Sequence, residues 1–176
     1  MYSTQHKDKC YVLIKNKDII DLAKDRTSTH NIIIPHVCNN VNGFGAGFAG
    51  YISNMFPSVK ENFHMLGNKA KLGYTQFVEA YINKNTGNKI FIANMIAQNG
   101  LISKSNSRPL NYFALANCMN DIKSKTIDLK SRDITTETEI HCPKFGSGLA
   151  GGDWQFISEL IKDIWNNIPV YVYIKK

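Results

Sequence analysis

Residues 36–50 read HVCNNVNGFGAGFAG, a stretch that holds a literal G-x-G-x-x-G at Gly45, Gly47 and Gly50 and follows the apolar run NIIIPHV. A nicotinamide-type dinucleotide fold places this motif directly after its first strand. It also carries an acidic residue about twenty positions further on to hold a ribose hydroxyl. Neither condition is met. The preceding strand is not the first, an Asn-Asn-Val-Asn spacer intervenes, and the downstream segment reads HMLGNKAK, without a carboxylate. A more general reading survives: glycines let a backbone approach a ligand closely, and a helix beginning near Ala46 presents unpaired N–H groups that favour an anion such as phosphate. For Gly50, inside that helix, close packing is the simpler role. Asn39, Asn40 and Asn42 fit ordinary turn positions.

A second glycine loop, PKFGSGLAGGDW at residues 143–154, again joins an apolar strand to an amphipathic helix. Two strand-loop-helix units with bare backbone at their strands' C-terminal ends would face each other across a crevice, where open α/β sheets bind ligands. Two phosphate-facing loops imply a diphosphate.

Short apolar runs alternate with helical periodicity along the rest of the chain, which predicts an α/β domain. Strands are expected at 11–14, 32–38, 74–82, 90–97, 139–142 and 170–174, and the near-continuous runs NIIIPHV and KIFIANMIA point to strands covered on both faces. Thr86-Gly87-Asn88 predicts a hairpin turn and so a mixed sheet. Three helices are expected: one from Ala46 to Met55, which Pro57 ends or restarts; one with Pro109 as an early residue and Tyr112, Leu115, Met119 and Ile122 along one face; and one capped by Asp153.

The 176 residues suit a single domain, and 43% hydrophobic with 20% charged residues belongs to a globular chain. No signal-peptide core and no membrane-length apolar window occurs. Four scattered cysteines fit reduced thiols, so a cytoplasmic, monomeric or weakly associating protein is expected. The net charge of +7 raises the question of nucleic acid, but the Lys and Arg residues form no run and no aromatic-basic interleaving. That distribution argues against a nucleic-acid partner and leaves a potential that attracts a small anion.

Taken in order, HVCNNVNGFGAGFA, LGYTQFVEA, IANMIAQNG, RPLNYFALANCM and PKFGSGLAGGDW resemble a macro domain, the ADP-ribose-binding module. The similarity is greatest to the branch that processes ADP-ribose 1″-phosphate, related to the terminal ADP-ribose glycohydrolases, and it spans residues 11–174. It implies a three-layer α/β/α sandwich with a mixed central sheet over the whole chain, 1–176. ADP-ribose or its 1″-phosphate would be the ligand, ADP-ribosylated macromolecules would be further partners, and no cofactor is called for. By the resemblance, Asp18 accepts from the adenine amino group and Ile19 packs on the ring. Asn40 meets the distal ribose, and Gly45, Ala46 and Gly47 supply backbone contacts near that ribose and the phosphates. Gly146, Ser147, Gly148, Leu149 and Ala150 wrap the diphosphate. Phe145 is either a ring for the distal ribose or a core aromatic that anchors the loop.

The glycohydrolase relatives carry a nucleophilic lysine and a partner aspartate where this chain has Gln98-Asn99 and Ala150. A lysine Schiff-base route is therefore not expected. His36, Asn40 and Asp153 remain as candidates for acid/base or water-positioning work, with a satisfied strand histidine and a helix cap as the plainer roles of His36 and Asp153. A zinc site on His36, Cys38, His141 and Cys142 is not expected, since strand alternation sends His141 and Cys142 to opposite faces. Two function classes follow: a hydrolase acting at the distal ribose of an ADP-ribose derivative, or a reader that binds without turnover. An NAD-dependent oxidoreductase is a third idea, disfavoured because a nicotinamide would crowd the distal-ribose pocket.

Overall fold

The long apolar runs become the interior of one six-stranded sheet, ordered β1-β6-β5-β2-β4-β3, in a computed structural model that describes residues 10–174. The strands are β1 (Val12–Lys15), β2 (His30–Asn39), β3 (Thr75–Ile82), β4 (Lys89–Gln98), β5 (Glu137–Pro143) and β6 (Val170–Ile174). β2 and β4 are buried along almost their whole length, whereas the edge strands β1 and β3 are only partly covered. All neighbours pair in parallel except β3 and β4, which form the expected hairpin and make the sheet mixed. Gly87, with φ +77°, takes the left-handed position in that turn.

Alternation along the strands sorts the core into two layers. Ile32, Ile34, Ile90 and Ile92 face α1 (Ile19–Arg26), α2 (Gly47–Met55) and α3 (Pro57–His64). Ile33, Phe91, Ala93 and Met95 face α4 (Tyr112–Arg132) and α5 (Trp154–Ile164). The architecture is a three-layer α/β/α sandwich. Burying one such isoleucine completely is worth about 2 kcal/mol, so the two apolar layers dominate cohesion.

Two local expectations, on α1 and on Pro109, are corrected, and the one on Pro57 is met in both its forms. α1 was not among the expected helices; Asp18 starts it by accepting hydrogen bonds from the Ile20 and Asp21 N–H groups at 2.9 and 3.1 Å. Pro57 both ends and restarts: α2 stops at Met55, Phe56 turns out at φ −138°, and Pro57 opens α3. Pro109 is not helical. The Leu110 N–H donates to the Ala150 carbonyl and the Asn111 N–H to the Ala97 carbonyl, so this segment stays extended until Asn111 caps α4.

A polar cluster lies on the α1 face of the sheet. Glu139, 2% exposed, accepts from the Arg26 guanidinium and, at 2.9 Å, from His141 Nε2; His141 Nδ1 accepts from the Tyr173 hydroxyl at 2.7 Å. His141 is thus turned away from Cys142, which packs in the opposite core layer. Burial would raise the Glu139 carboxyl, but hydrogen bonds from His141 and Arg26 outweigh it and bring it from 4.5 to about 2. A depressed folded-state pKa stabilises the fold above the unfolded value, and the benefit is lost as pH falls toward the folded one. Wild-type protein is therefore expected to lose on the order of 3 kcal/mol between pH 4.5 and 2 from this group. In urea titrations across pH, Glu139→Gln should be less stable at neutral pH by a similar amount and show a flatter profile over that window.

Candidate functional site

β2 and β5 lie side by side in parallel, with Ile33 opposite Ile140, so the loops that leave their C-terminal ends emerge on one edge of the sheet. Both glycine loops line a single cavity of about 700 Å³. The two stretches that carried the sequence reading therefore meet at one crevice.

The first loop is organised by a residue that the sequence reading treated as an ordinary turn position. Asn39 Oδ1 accepts from the Val41 and Gly43 N–H groups at 3.1 and 3.0 Å, and its Nδ2 donates to the Gly43 carbonyl at 2.8 Å. One carboxamide thus closes the turn. The available signal was the Asn-x-x-x-Gly spacing itself. Beyond it, Gly45 and Gly47 take φ +151° and +55°. Gly50 has a packing role, though against the loop rather than the sheet: a Cβ there would lie 2.5 Å from the Gly45 carbonyl oxygen.

The second loop repeats the device. Gly146 turns at φ +74°, its carbonyl accepts from the Gly152 N–H at 2.8 Å, and a Cβ on Gly152 would lie 2.5 Å from that same oxygen. In a trans peptide the C=O and the following N–H point in opposite directions. Turning the Gly45 and Gly146 carbonyls inward therefore turns the Ala46 and Ser147 N–H groups outward. Neither N–H, nor those of Gly148 and Leu149, finds an intramolecular acceptor among the described residues. Such donors suit an anion.

The other expected site residues distribute unevenly. Asn40 points away from the first loop: its Nδ2 donates to Asn99 Oδ1 at 3.0 Å and its Oδ1 accepts from the Gly100 N–H at 2.9 Å, tying the end of β2 to the end of β4. A register shift between Cys38 and Asn39 accompanies this change of direction. Asp18 stands at the start of α1, bonded to the Tyr51 hydroxyl at 2.7 Å, and Ile19 is buried beside it in the core; neither lines the cavity. Asp153 caps α5 by accepting from the Gln155 N–H at 2.8 Å and also lies outside the cavity lining. Phe145 lines the cavity from beneath, 3% exposed, with its ring edge-on to Trp154 and tilted against Trp165. Phe44, Phe48, Leu101 and Ile102 add apolar wall that the sequence reading missed.

Electrostatically the crevice is simple. Its lining includes no carboxylate. Lys144 is exposed at the rim, and His36 is buried at 2% exposure. Burial drives the His36 imidazole down to about 4 against a partly compensating hydrogen bond to Asn94, so the ring is neutral at physiological pH. Burial also pushes the Cys38 thiol well up, leaving it protonated.

Known structures superpose on this chain closely enough to name the fold. A macrodomain protein from Streptomyces coelicolor superposes with a TM-score of 0.66 at 25% identity, over 92% of this chain and 98% of that one. The chain has the macrodomain fold. A protein of unknown function from Bacteroides thetaiotaomicron is similar over 94% of this chain and 99% of its own, with a TM-score of 0.73 and 27% identity. Thermosipho africanus DarTG, solved in complex with ADP-ribose, shares the fold at a TM-score of 0.60 and 15% identity over 84% of this chain and 42% of that one. No family model matches the sequence.

In this macrodomain the tightness of the first loop can be tested directly. Gly50→Ala gains about 1 kcal/mol of helix propensity but drives a methyl into the Gly45 carbonyl oxygen, and relieving such overpacking costs about 1–3 kcal/mol. The contact is with backbone and cannot rotate away. A net loss of about 1 kcal/mol is expected in thermal or urea unfolding. Unchanged or increased stability would show that the loop moves aside freely.

Proposed function

We propose that the crevice binds ADP-ribose, with the diphosphate held by N–H groups of Gly45–Gly47 and Gly146–Ala150. The distal ribose would then lie near His36 and Phe145. One observation carries this reading: Ala46 of one loop and Gly148 and Leu149 of the other line one cavity, and their N–H groups have no acceptor among the described residues. Its volume of about 700 Å³ falls within the ordinary range for a small-molecule site. The ADP-ribose complex of a protein with the same fold supports the choice of ligand. Asp18 and Ile19 are assigned to the adenine end by the family resemblance.

The chemistry we propose is hydrolysis at the distal ribose, with ADP-ribose 1″-phosphate as the substrate. Water adds to phosphorus while the bond from phosphorus to the ribose O1″ breaks, giving ADP-ribose and inorganic phosphate. With no carboxylate in the lining, rate enhancement would come from rigid positioning and from backbone donors that stabilise developing charge. The same lack of a carboxylate favours a second reading, a reader that binds ADP-ribose or ADP-ribosylated proteins without turnover.

Calorimetric titration with ADP-ribose should give saturable, one-to-one binding, and NAD should bind more weakly because its nicotinamide crowds the distal pocket. Incubation with ADP-ribose 1″-phosphate should release inorganic phosphate above a blank, with Asn40→Ala slower because the loop it braces loses its tie to Asn99 and Gly100. Binding without phosphate release would select the reader. Failure of ADP-ribose to bind at all would end both.

A further inference from the structure

His36 and Asn94 are cross-strand partners on β2 and β4, and Gln76 on β3 is the next residue across the sheet. Their side chains form a hydrogen-bonded row: His36 Nε2 to Asn94 Oδ1 at 2.6 Å, Asn94 Nδ2 to Gln76 Oε1 at 3.0 Å, and Gln76 Nε2 to the Asn62 main-chain carbonyl of α3 at 3.0 Å. The last member fixes the polarity of all the others. A carbonyl can only accept, so Gln76 must present its NH₂ group to Asn62 and its oxygen to Asn94. Asn94 then presents its NH₂ to Gln76 and its oxygen to His36. An oxygen needs a donor, which places the proton on His36 Nε2.

The ring is neutral, so Nδ1 carries the lone pair. Among the described residues its single neighbour within hydrogen-bonding range is the Cys38 sulfur, 3.8 Å from Nδ1 and 3.7 Å from Nε2. A group nearly equidistant from the two nitrogens lies off the lone-pair axis of either. Among the described residues Nδ1 thus has this long, off-axis thiol contact alone, on a side chain that lines the crevice. Phe44 and Phe48, 5.6 and 5.8 Å away edge-on, clamp the ring in place.

We propose that Asn94 and Gln76 are positioning residues that hold His36 as the Nε2–H tautomer, so that Nδ1 accepts a hydrogen bond from a hydroxyl of the bound sugar or from a water beside it. The ligand-facing half of this proposal rests on the ADP-ribose reading, whereas the tautomer half does not. A tautomer set by a backbone carbonyl three residues away gives the site a fixed acceptor without a charged group.

Long-range ¹H–¹⁵N spectra of the imidazoles distinguish the two halves. In the ligand-free protein at pH 7, His36 should show a protonated, pyrrole-type Nε2 and an unprotonated, pyridine-type Nδ1. Gln76→Leu, a change at a half-buried position of the edge strand, frees the Asn94 amide to flip and should move both nitrogens toward the averaged position of mixed tautomers. With the two forms equally populated, ADP-ribose affinity should fall about twofold. Asn94→Asp keeps an acceptor facing Nε2 and should retain the Nε2–H form. On adding ADP-ribose to wild-type protein, the Nδ1 resonance should shift toward that of a hydrogen-bonded nitrogen. A proton on Nδ1 in the free protein, or no tautomer change in Gln76→Leu, would overturn the positioning role. ADP-ribose binding with an unmoved Nδ1 would overturn the acceptor role. Absence of ADP-ribose binding would overturn the ligand reading and the acceptor role with it, leaving the free-protein spectrum to judge the tautomer.

Discussion

In each glycine loop a carbonyl oxygen is packed so close to the α-carbon of a later glycine that no side chain fits between them. Gly45 stands against Gly50 and Gly146 against Gly152, each at a distance where a methyl group would overlap the oxygen. The rest of the site follows from this contact. Because peptide groups are planar and trans, directing these carbonyls inward directs the next N–H groups outward. Because β2 and β5 are adjacent and parallel, the two sets of donors meet across one crevice. A distinctive glycine pattern thereby becomes a pair of donor-bearing surfaces whose polarity comes from the backbone.

The side chains around those surfaces are nearly uncharged. His36 is kept neutral by burial, Cys38 stays protonated, and Lys144 lies at the rim. Apart from Lys144 the lining carries no full charge, and the buried carboxylate of Glu139 lies elsewhere, with Arg26 and His141 beneath α1, where it braces that helix against the sheet. Such a division suits a pocket for a polyanion. Oriented dipoles attract phosphate without the desolvation cost of burying several cations beside it.

Much of this was legible in the sequence where burial on both faces imposes continuous apolar runs, as in NIIIPHV and KIFIANMIA, or where Thr86-Gly87-Asn88 sets a turn. The two glycine loops were readable for the same reason, since local chemistry and global fold agree there, whereas the three-layer order came from the family resemblance. What escaped depended on contacts distant in sequence. Pro109 looks like a helix start until Ala150 and Ala97 hold its neighbours extended. Asn39 and Asn40 are chemically identical, and only the register shift in β2 decides which closes the loop and which reaches β4. The eight-residue α1 is short enough that its capping aspartate was read for a ligand role before a structural one.

The most direct test of the two-loop grip is a crystal structure of this protein with ADP-ribose. The account predicts pyrophosphate oxygens within about 3 Å of backbone nitrogens from both Gly45–Gly47 and Gly146–Ala150. A diphosphate held by one loop alone, or bound away from the crevice, would contradict it.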